Sequence, residues 1–176
     1  MSNRGEFMKT AKRVLLICLF AVLCVCNWTY PGYCQDKTRK DYYPNGALKF
    51  EVNLKNGRPE GIGKAYYQSG KVFREYNYKD GKREGIGKMY YESGKVWAEK
   101  HYKNNNQEGI EKIYLRDGQL FKEKNYKNNK QEGIEKIYAG SGKLIREYNY
   151  KDGKKISAVC YDEQGNKIEC PKLDKK

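Results

Sequence analysis

Histidine is almost missing from this chain, and His101 is its one copy. A His-based general base or an imidazole metal site therefore has next to no material. Of the six cysteines, Cys18, Cys24 and Cys26 lie inside an apolar run, and the other three are widely spaced. No metal and no cofactor are expected. Leu, Ile, Val and Phe are scarce as well. Apolar residues make up 38% of the chain, too few for a thick closed core. No apolar pattern of period 3.6 follows residue 30, which disfavours a helical repeat. Tyrosine, by contrast, is abundant, at 17 of 176 residues. Its ring is apolar and its tip polar, which suits the faces of a thin sheet.

Fifteen of those tyrosines fall in four columns of a repeat with a step of 24 residues. Each unit turns on a glycine: Gly46, Gly70, Gly94, Gly118 and Gly142, with Gly165 in a worn sixth copy. Four residues earlier stands Tyr42, Tyr66, Tyr90, Tyr114, Tyr138 or Tyr161. Three residues later stand Phe73, Trp97, Phe121 and Ile145, with Lys49 in the first copy. Glutamate follows at Glu51, Glu75, Glu99, Glu123 and Glu147. A second turn is Asx-Gly at 56–57, 80–81 and 152–153, and Asn-Asn at 104–105 and 128–129. Gly and Asn are the residues that most readily take positive φ, so this column marks hairpins. Glu-Gly-Ile then opens the next strand at 60–62, 84–86, 108–110 and 132–134.

Each cycle thus predicts two strands and two turns. Stacked hairpins support each other through their neighbours. The fold class expected is all-β: one elongated antiparallel sheet of tandem hairpins, about ten strands in all. Taking both turns as four-residue loops, Lys79 faces Glu84, Glu75 faces Lys88, and Phe73 faces Tyr90. Tyr78 then covers Gly85, Tyr66 faces Phe73, and Lys64 faces Glu75. This register predicts one unbroken aromatic row of Tyr66, Phe73, Tyr90, Trp97, Tyr114, Phe121 and Tyr138 beside a Lys/Glu ladder. That row is the candidate binding face. Lys64, Lys88, Lys112 and Lys136 are the candidate contacts to lipid or polyanion.

The stretches Tyr90-Tyr91-Glu92-Ser93-Gly94-Lys95-Val96 and Tyr78-Lys79-Asp80-Gly81-Lys82-Arg83-Glu84-Gly85-Ile86-Gly87-Lys88 resemble the MORN (membrane occupation and recognition nexus) repeat family in its bacterial variant form. The resemblance covers about residues 42–156, and the tail to 170 is similar to a degenerate capping copy. Many bacterial chains of this kind look like the group called YwqK-family antitoxins. The resemblance implies a hairpin array used for protein or phospholipid contact, and it names no ligand.

The ends of the chain carry other signals. Lys9, Lys12 and Arg13 precede the apolar run Val14–Cys26. This predicts an export signal in residues 1–34, with cleavage before Gln35, or an uncleaved N-terminal anchor. Residues 35–41 read as a linker and 171–176 as a basic tail. Cys160 and Cys170 sit symmetrically about the turn at Gly165, as a cross-hairpin disulfide in an oxidising compartment requires. The formal charge is +14, of which residues 1–34 contribute four basic groups and one acidic group. The basic residues are interleaved with Glu. A hydrated surface therefore ranks above a nucleic-acid site, whose phosphates the carboxylates would repel.

No catalytic residue stands out. His101 occupies a column otherwise filled by Asn53, Asn77, Asn125 and Asn149. The glutamates recur too regularly to be an asymmetric acid/base pair. The expectation is an exported, periplasmic or extracellular, non-enzymatic scaffold that binds a protein of the cell envelope, with no small-molecule substrate. The alternatives are peripheral binding to anionic membranes and an antitoxin-like binding protein.

Overall fold

The computed structural model describes residues 37–170, and the predicted signal segment and basic tail lie outside them. The strands are β1 (Lys37–Tyr42), β2 (Leu48–Lys55), β3 (Arg58–Tyr66), β4 (Val72–Lys79), β5 (Lys82–Arg83), β6 (Gly85–Tyr90), β7 (Val96–Lys103) and β8 (Asn106–Gln107). They continue as β9 (Gly109–Tyr114), β10 (Leu120–Lys127), β11 (Lys130–Gln131), β12 (Gly133–Tyr138), β13 (Leu144–Lys151), β14 (Lys154–Tyr161) and β15 (Lys167–Ile168). All 15 form one open antiparallel sheet in chain order. The two-residue strands β5, β8 and β11 are the first steps of β6, β9 and β12, separated from them by a bulge. Among the described residues there is no helix.

Residues 37–41, within the stretch 35–41 expected to be a linker, are strand: with Tyr42 they form β1, which pairs with β2 from Lys37↔Leu54 to Tyr42↔Leu48 and completes the first unit. Its Lys40 takes the ladder position of Lys64 and Lys88, 3.8 Å from Glu51. The missing Glu-Gly-Ile signature is what hid this strand in the sequence.

The Asx turns are tighter than four residues. Asp80 and Gly81 have φ of 50° and 81°, and Asn104 and Asn105 have 51° and 70°. Two successive positive φ values make a two-residue type I′ turn, whose twist matches the flanking strands. Lys79 therefore faces Lys82, not Glu84, and Tyr78 faces Arg83. Three residues further from the turn than Tyr78, Glu75 faces Lys88, as the ladder register requires. The difference of two residues is absorbed at Glu84-Gly85, where Gly85 takes a φ of 74°. An even slip leaves every side chain on its face, so the charge ladder survives the wrong loop length. Tyr78 does not cover Gly85. It pairs with Gly61, and its ring lies on Gly63, where a Cβ would come within 2.8 Å.

The second turn also differs from the four-residue reading. Tyr67 N–H donates to Lys71 and Gly70 N–H donates to Tyr67, which closes a three-residue loop with a glycine bulge. Tyr66 consequently faces Val72, while Ala65 faces Arg74 and Lys64 faces Glu75. Phe73 is left without a partner. The same break isolates Lys49, Trp97, Phe121 and Ile145 in their units. The large apolar residue three places after each turn glycine is thus a bulge residue, not a member of a paired row.

One face of the sheet carries what core there is. Tyr76, Met89, Ala98 and Tyr102 are buried together there, with Tyr78, Trp97 and Ile113 packed against them. Tyr76 and Tyr102 meet edge to face, with ring centroids 5.4 Å apart. Gly87 lies beneath both rings, and a Cβ there would fall 2.4 Å from Tyr76 and 3.2 Å from Tyr102. In the next two units Glu111 and Glu135 occupy this column, buried at 4% exposure. Where Tyr76 covers Gly87, Lys100 bonds Glu111 at 3.1 Å, and Glu135 is bonded instead by Lys122, from the column of Ala98, at the same distance. Gln107 and Gln131 donate to the same two carboxylates.

Successive units are stitched together at both edges. Tyr43, Tyr67 and Tyr91 each donate their hydroxyl to the carbonyl of Tyr66, Tyr90 or Tyr114 one unit on, at 2.7–2.8 Å. Glu60, Glu84, Glu108 and Glu132 each accept the backbone N–H of the next unit's turn residue, at 2.8–2.9 Å. The last hairpin is closed by a disulfide between Cys160 and Cys170, whose Cα atoms are 5.1 Å apart.

Candidate binding surface

The opposite, more open face is built in parallel rows. Lys64, Lys88 and Lys112 lie 3.4, 3.5 and 3.9 Å from Glu75, Glu99 and Glu123. Lys136 stands between Glu123 and Glu147 in register. The lysines proposed for lipid contact are therefore neutralised locally by carboxylates of the same row. Beside them, Tyr66, Tyr90, Tyr114 and Tyr138 donate to Glu51, Glu75, Glu99 and Glu123 at 2.5, 2.9, 3.2 and 2.9 Å. Each glutamate is held by a tyrosine from one unit and a lysine from another. Tyr66, Tyr90 and Tyr138 are pushed up to about 12, first by burial and then by the hydrogen-bonded carboxylate.

The structure thus brings four of the seven expected aromatics into one row and leaves the other three out of it. Phe73 rests on Tyr67, with centroids 5.0 Å apart. Trp97 packs against the Tyr76 cluster. The Arg74 and Lys122 cations lie 5.7 and 5.5 Å from the ring centroids of Phe73 and Phe121. The row is interrupted because the bulge removes these residues from cross-strand pairing.

A row outside the predicted aromatic face lies two residues along each strand from the ladder lysines. Ile62, Ile86, Ile110 and Ile134 share their face and are 59%, 50%, 43% and 38% exposed. Large β-branched side chains normally go inside, and a recurring exposed set of them has no role in the core. Asn77, His101, Asn125 and Asn149 stand opposite them. Asn125 donates to the carbonyl of Ile134 at 2.8 Å, and His101 Nδ1 lies 2.7 Å from that of Ile110. A carbonyl only accepts, so Nδ1 carries the proton here. These side chains satisfy backbone at the bulge, a structural role for His101. The signal for the isoleucine row was present in the sequence as the third letter of Glu-Gly-Ile.

Beyond the isoleucines, the type I′ turns place basic groups directly opposite each other. Lys55 faces Arg58, Lys79 faces Lys82, Lys127 faces Lys130 and Lys151 faces Lys154, all exposed. Among the described residues no cluster of three or more His, Cys, Asp or Glu is placed to hold a metal ion.

A bulged hairpin array with repeat-wise surface rows and stitched edges defines a tandem β-hairpin repeat protein. The MORN repeat variant model matches residues 35–56, 59–80, 83–104, 107–128 and 131–152. These matches take in more than half of the chain, which belongs to the MORN repeat variant family. Repeats of this family are non-catalytic and generally bind proteins or membranes. No curated protein matches the chain.

Proposed function

We propose that this protein is an exported, non-enzymatic scaffold that holds a protein partner of the cell envelope on the isoleucine-bearing face of its sheet. The observation that carries the reading is the row Ile62, Ile86, Ile110 and Ile134, exposed and repeated where no fold requirement asks for it. The basic residues before Val14–Cys26 and the Cys160–Cys170 disulfide support export, since disulfides persist in oxidising compartments. A cytoplasmic antitoxin role fits that chemistry poorly.

The test is affinity capture from detergent-solubilised envelope with the wild-type chain and with an Ile86→Asp/Ile110→Asp variant, alongside cell fractionation. A partner retained by the wild type and lost by the variant supports the reading, and equal recovery overturns it. Cytoplasmic fractionation of the full chain with free thiols at Cys160 and Cys170 overturns export.

Binding to anionic membranes is the second reading, favoured by the opposed basic pairs at the turns. Such binding should collapse as salt is raised from low to high ionic strength.

A further inference from the structure

The dimensions of the isoleucine row identify a shape of partner. Lys64, Glu75, Lys88 and Glu99 face one another across consecutive strands. The isoleucines, two residues from each lysine, therefore recur every second strand. Strands lie ~4.8 Å apart, so neighbouring isoleucines are about 9.6 Å apart in a line across the sheet. In an α-helix, residues seven apart rise ~10.5 Å and return to nearly the same side. An extended peptide places same-face residues ~6.8 Å apart and does not match.

Charge fixes the flank. Like charges opposite one another destabilise a sheet, yet four of the type I′ hairpins place two basic residues in that relation. The acidic groups nearest them are mostly committed elsewhere. Glu60, Glu84, Glu108 and Glu132 cap turn N–H groups, and among the described residues the one carboxylate contact to these basic pairs is the exposed Lys130–Asp152 pair at 3.8 Å. On the other side of the isoleucines the Lys/Glu ladder is locally neutral. The row is thus apolar with one basic margin.

We propose that this face docks an amphipathic α-helix of the partner, laid across the strands, with apolar residues at heptad spacing and acidic residues along the side that meets Lys79, Lys82, Lys127 and Lys130. The inference rests on the isoleucine face being the binding face. A helix, about 10–12 Å across, covers the isoleucines and their two flanks. A flat anionic membrane would also cover the Lys/Glu ladder, which is locally neutral and gives it no net attraction, whereas a helix with one acidic flank needs only the basic margin.

The probes are fluorescent 28-residue peptides and vesicles of phosphatidylcholine with phosphatidylglycerol, titrated into the full chain. One peptide is a helix with four leucines at heptad spacing and glutamates on one flank. A second has the same composition with the leucines respaced, and a third is an extended peptide with leucines at alternate positions. The heptad helix should bind at least tenfold more tightly than the other two and weaken with salt. Ile86→Thr/Ile110→Thr, which keeps β-branched residues in the strands, and Lys79→Glu/Lys127→Glu should each weaken it tenfold or more. Unchanged melting curves verify that these variants fold. Equal binding of all three peptides, or none by the helix, overturns the helix inference. If the extended peptide or the vesicles bind instead and Ile86→Thr/Ile110→Thr abolishes it, the isoleucine face stands as a binding face without the helix. If neither peptides nor vesicles respond to that variant, the face itself is refuted.

Discussion

The Tyr90–Glu75 bond shows how a single side chain carries a repeat. Tyr90 is held neutral because burial and the bonded carboxylate both oppose a phenolate, which lifts it from 10 to about 12. A pKa raised in the folded state means stability that is whole below pH 10 and is lost as pH climbs through about 12. Melting temperature should therefore fall across that alkaline window, and the Tyr66→Phe/Tyr90→Phe/Tyr138→Phe variant should show a flatter profile. Near neutral pH each of these substitutions should cost about 0.5–1.5 kcal/mol in denaturant titrations. Gly87 makes a different point. Its missing Cβ leaves room for Tyr76 and Tyr102, so Gly87→Ala should cost roughly 1–3 kcal/mol through displaced rings. The next unit matches Glu111 with Lys100 in place of that glycine and tyrosine. Gly87→Glu alone should therefore unfold much of this core, and adding Tyr76→Lys should recover more than about 1 kcal/mol in a double-mutant cycle. Simple additivity would refute the matched exchange.

At the scale of the hairpin, the choice between glycine and asparagine in the type I′ turns has a reason beyond φ. Asn105 and Asn129 accept the backbone N–H of Arg83 and Gln107 in the preceding turn, both at 2.7 Å. Gly81 lies against Pro59, which has no N–H to offer, and donates to its carbonyl. An acceptor is present at 105 and 129 where a donor awaits it, and absent at 81 where none exists. For the Gly of the last turn, at 153, the structure offers no such account. Asn105→Gly keeps the backbone conformation and removes only the acceptor, so it should cost ~0.5 kcal/mol. Asn105→Ala also forces an alanine into positive φ and should cost about 1 kcal/mol more. The two melting curves should separate in that order. The opposed Lys/Glu positions were legible in the sequence because charge and size alternate at fixed spacing. The two-residue bulge at Glu84-Gly85 was not, because an even slip leaves the alternation of faces unchanged, and the one-residue bulge at Phe73 was not, because it lies beside the turn, outside the ladder pairs.

Across the sheet, stability is a sum of small neighbour terms, with cross-strand pairs each contributing roughly 0.2–1 kcal/mol. Such an array opens from its ends, and the ends are treated differently. At one edge β15 is only two residues long, and Cys160–Cys170 ties the chain beyond it back to β14. A loop of this size restrains the open chain by about 2–3 kcal/mol. Reduction should therefore raise hydrogen exchange in residues 157–170 first, leaving the Tyr76–Tyr102 region protected. Uniform loss of protection would show that the array unfolds as one unit. At the other edge, β1 is rich in charge, with Lys37, Arg39, Lys40 and Asp41 among its six residues, a composition that discourages pairing with a further strand.

The sequence by itself determined the hairpin repeat, its step, the Lys/Glu ladder and the cysteine pair that closes the last hairpin. All of these depend on spacing along the chain, and spacing is what a repeat makes visible. Only the tertiary structure decided which residues the bulges expel from pairing and which rows are left in the open. A bulge is a property of two strands in contact, and exposure depends on what neighbouring units cover. Thus Phe73, Trp97 and Phe121, the conspicuous aromatics of the repeat, left the predicted row for bulge positions. Ile62, Ile86, Ile110 and Ile134, unremarked in the motif, stand exposed on the open face.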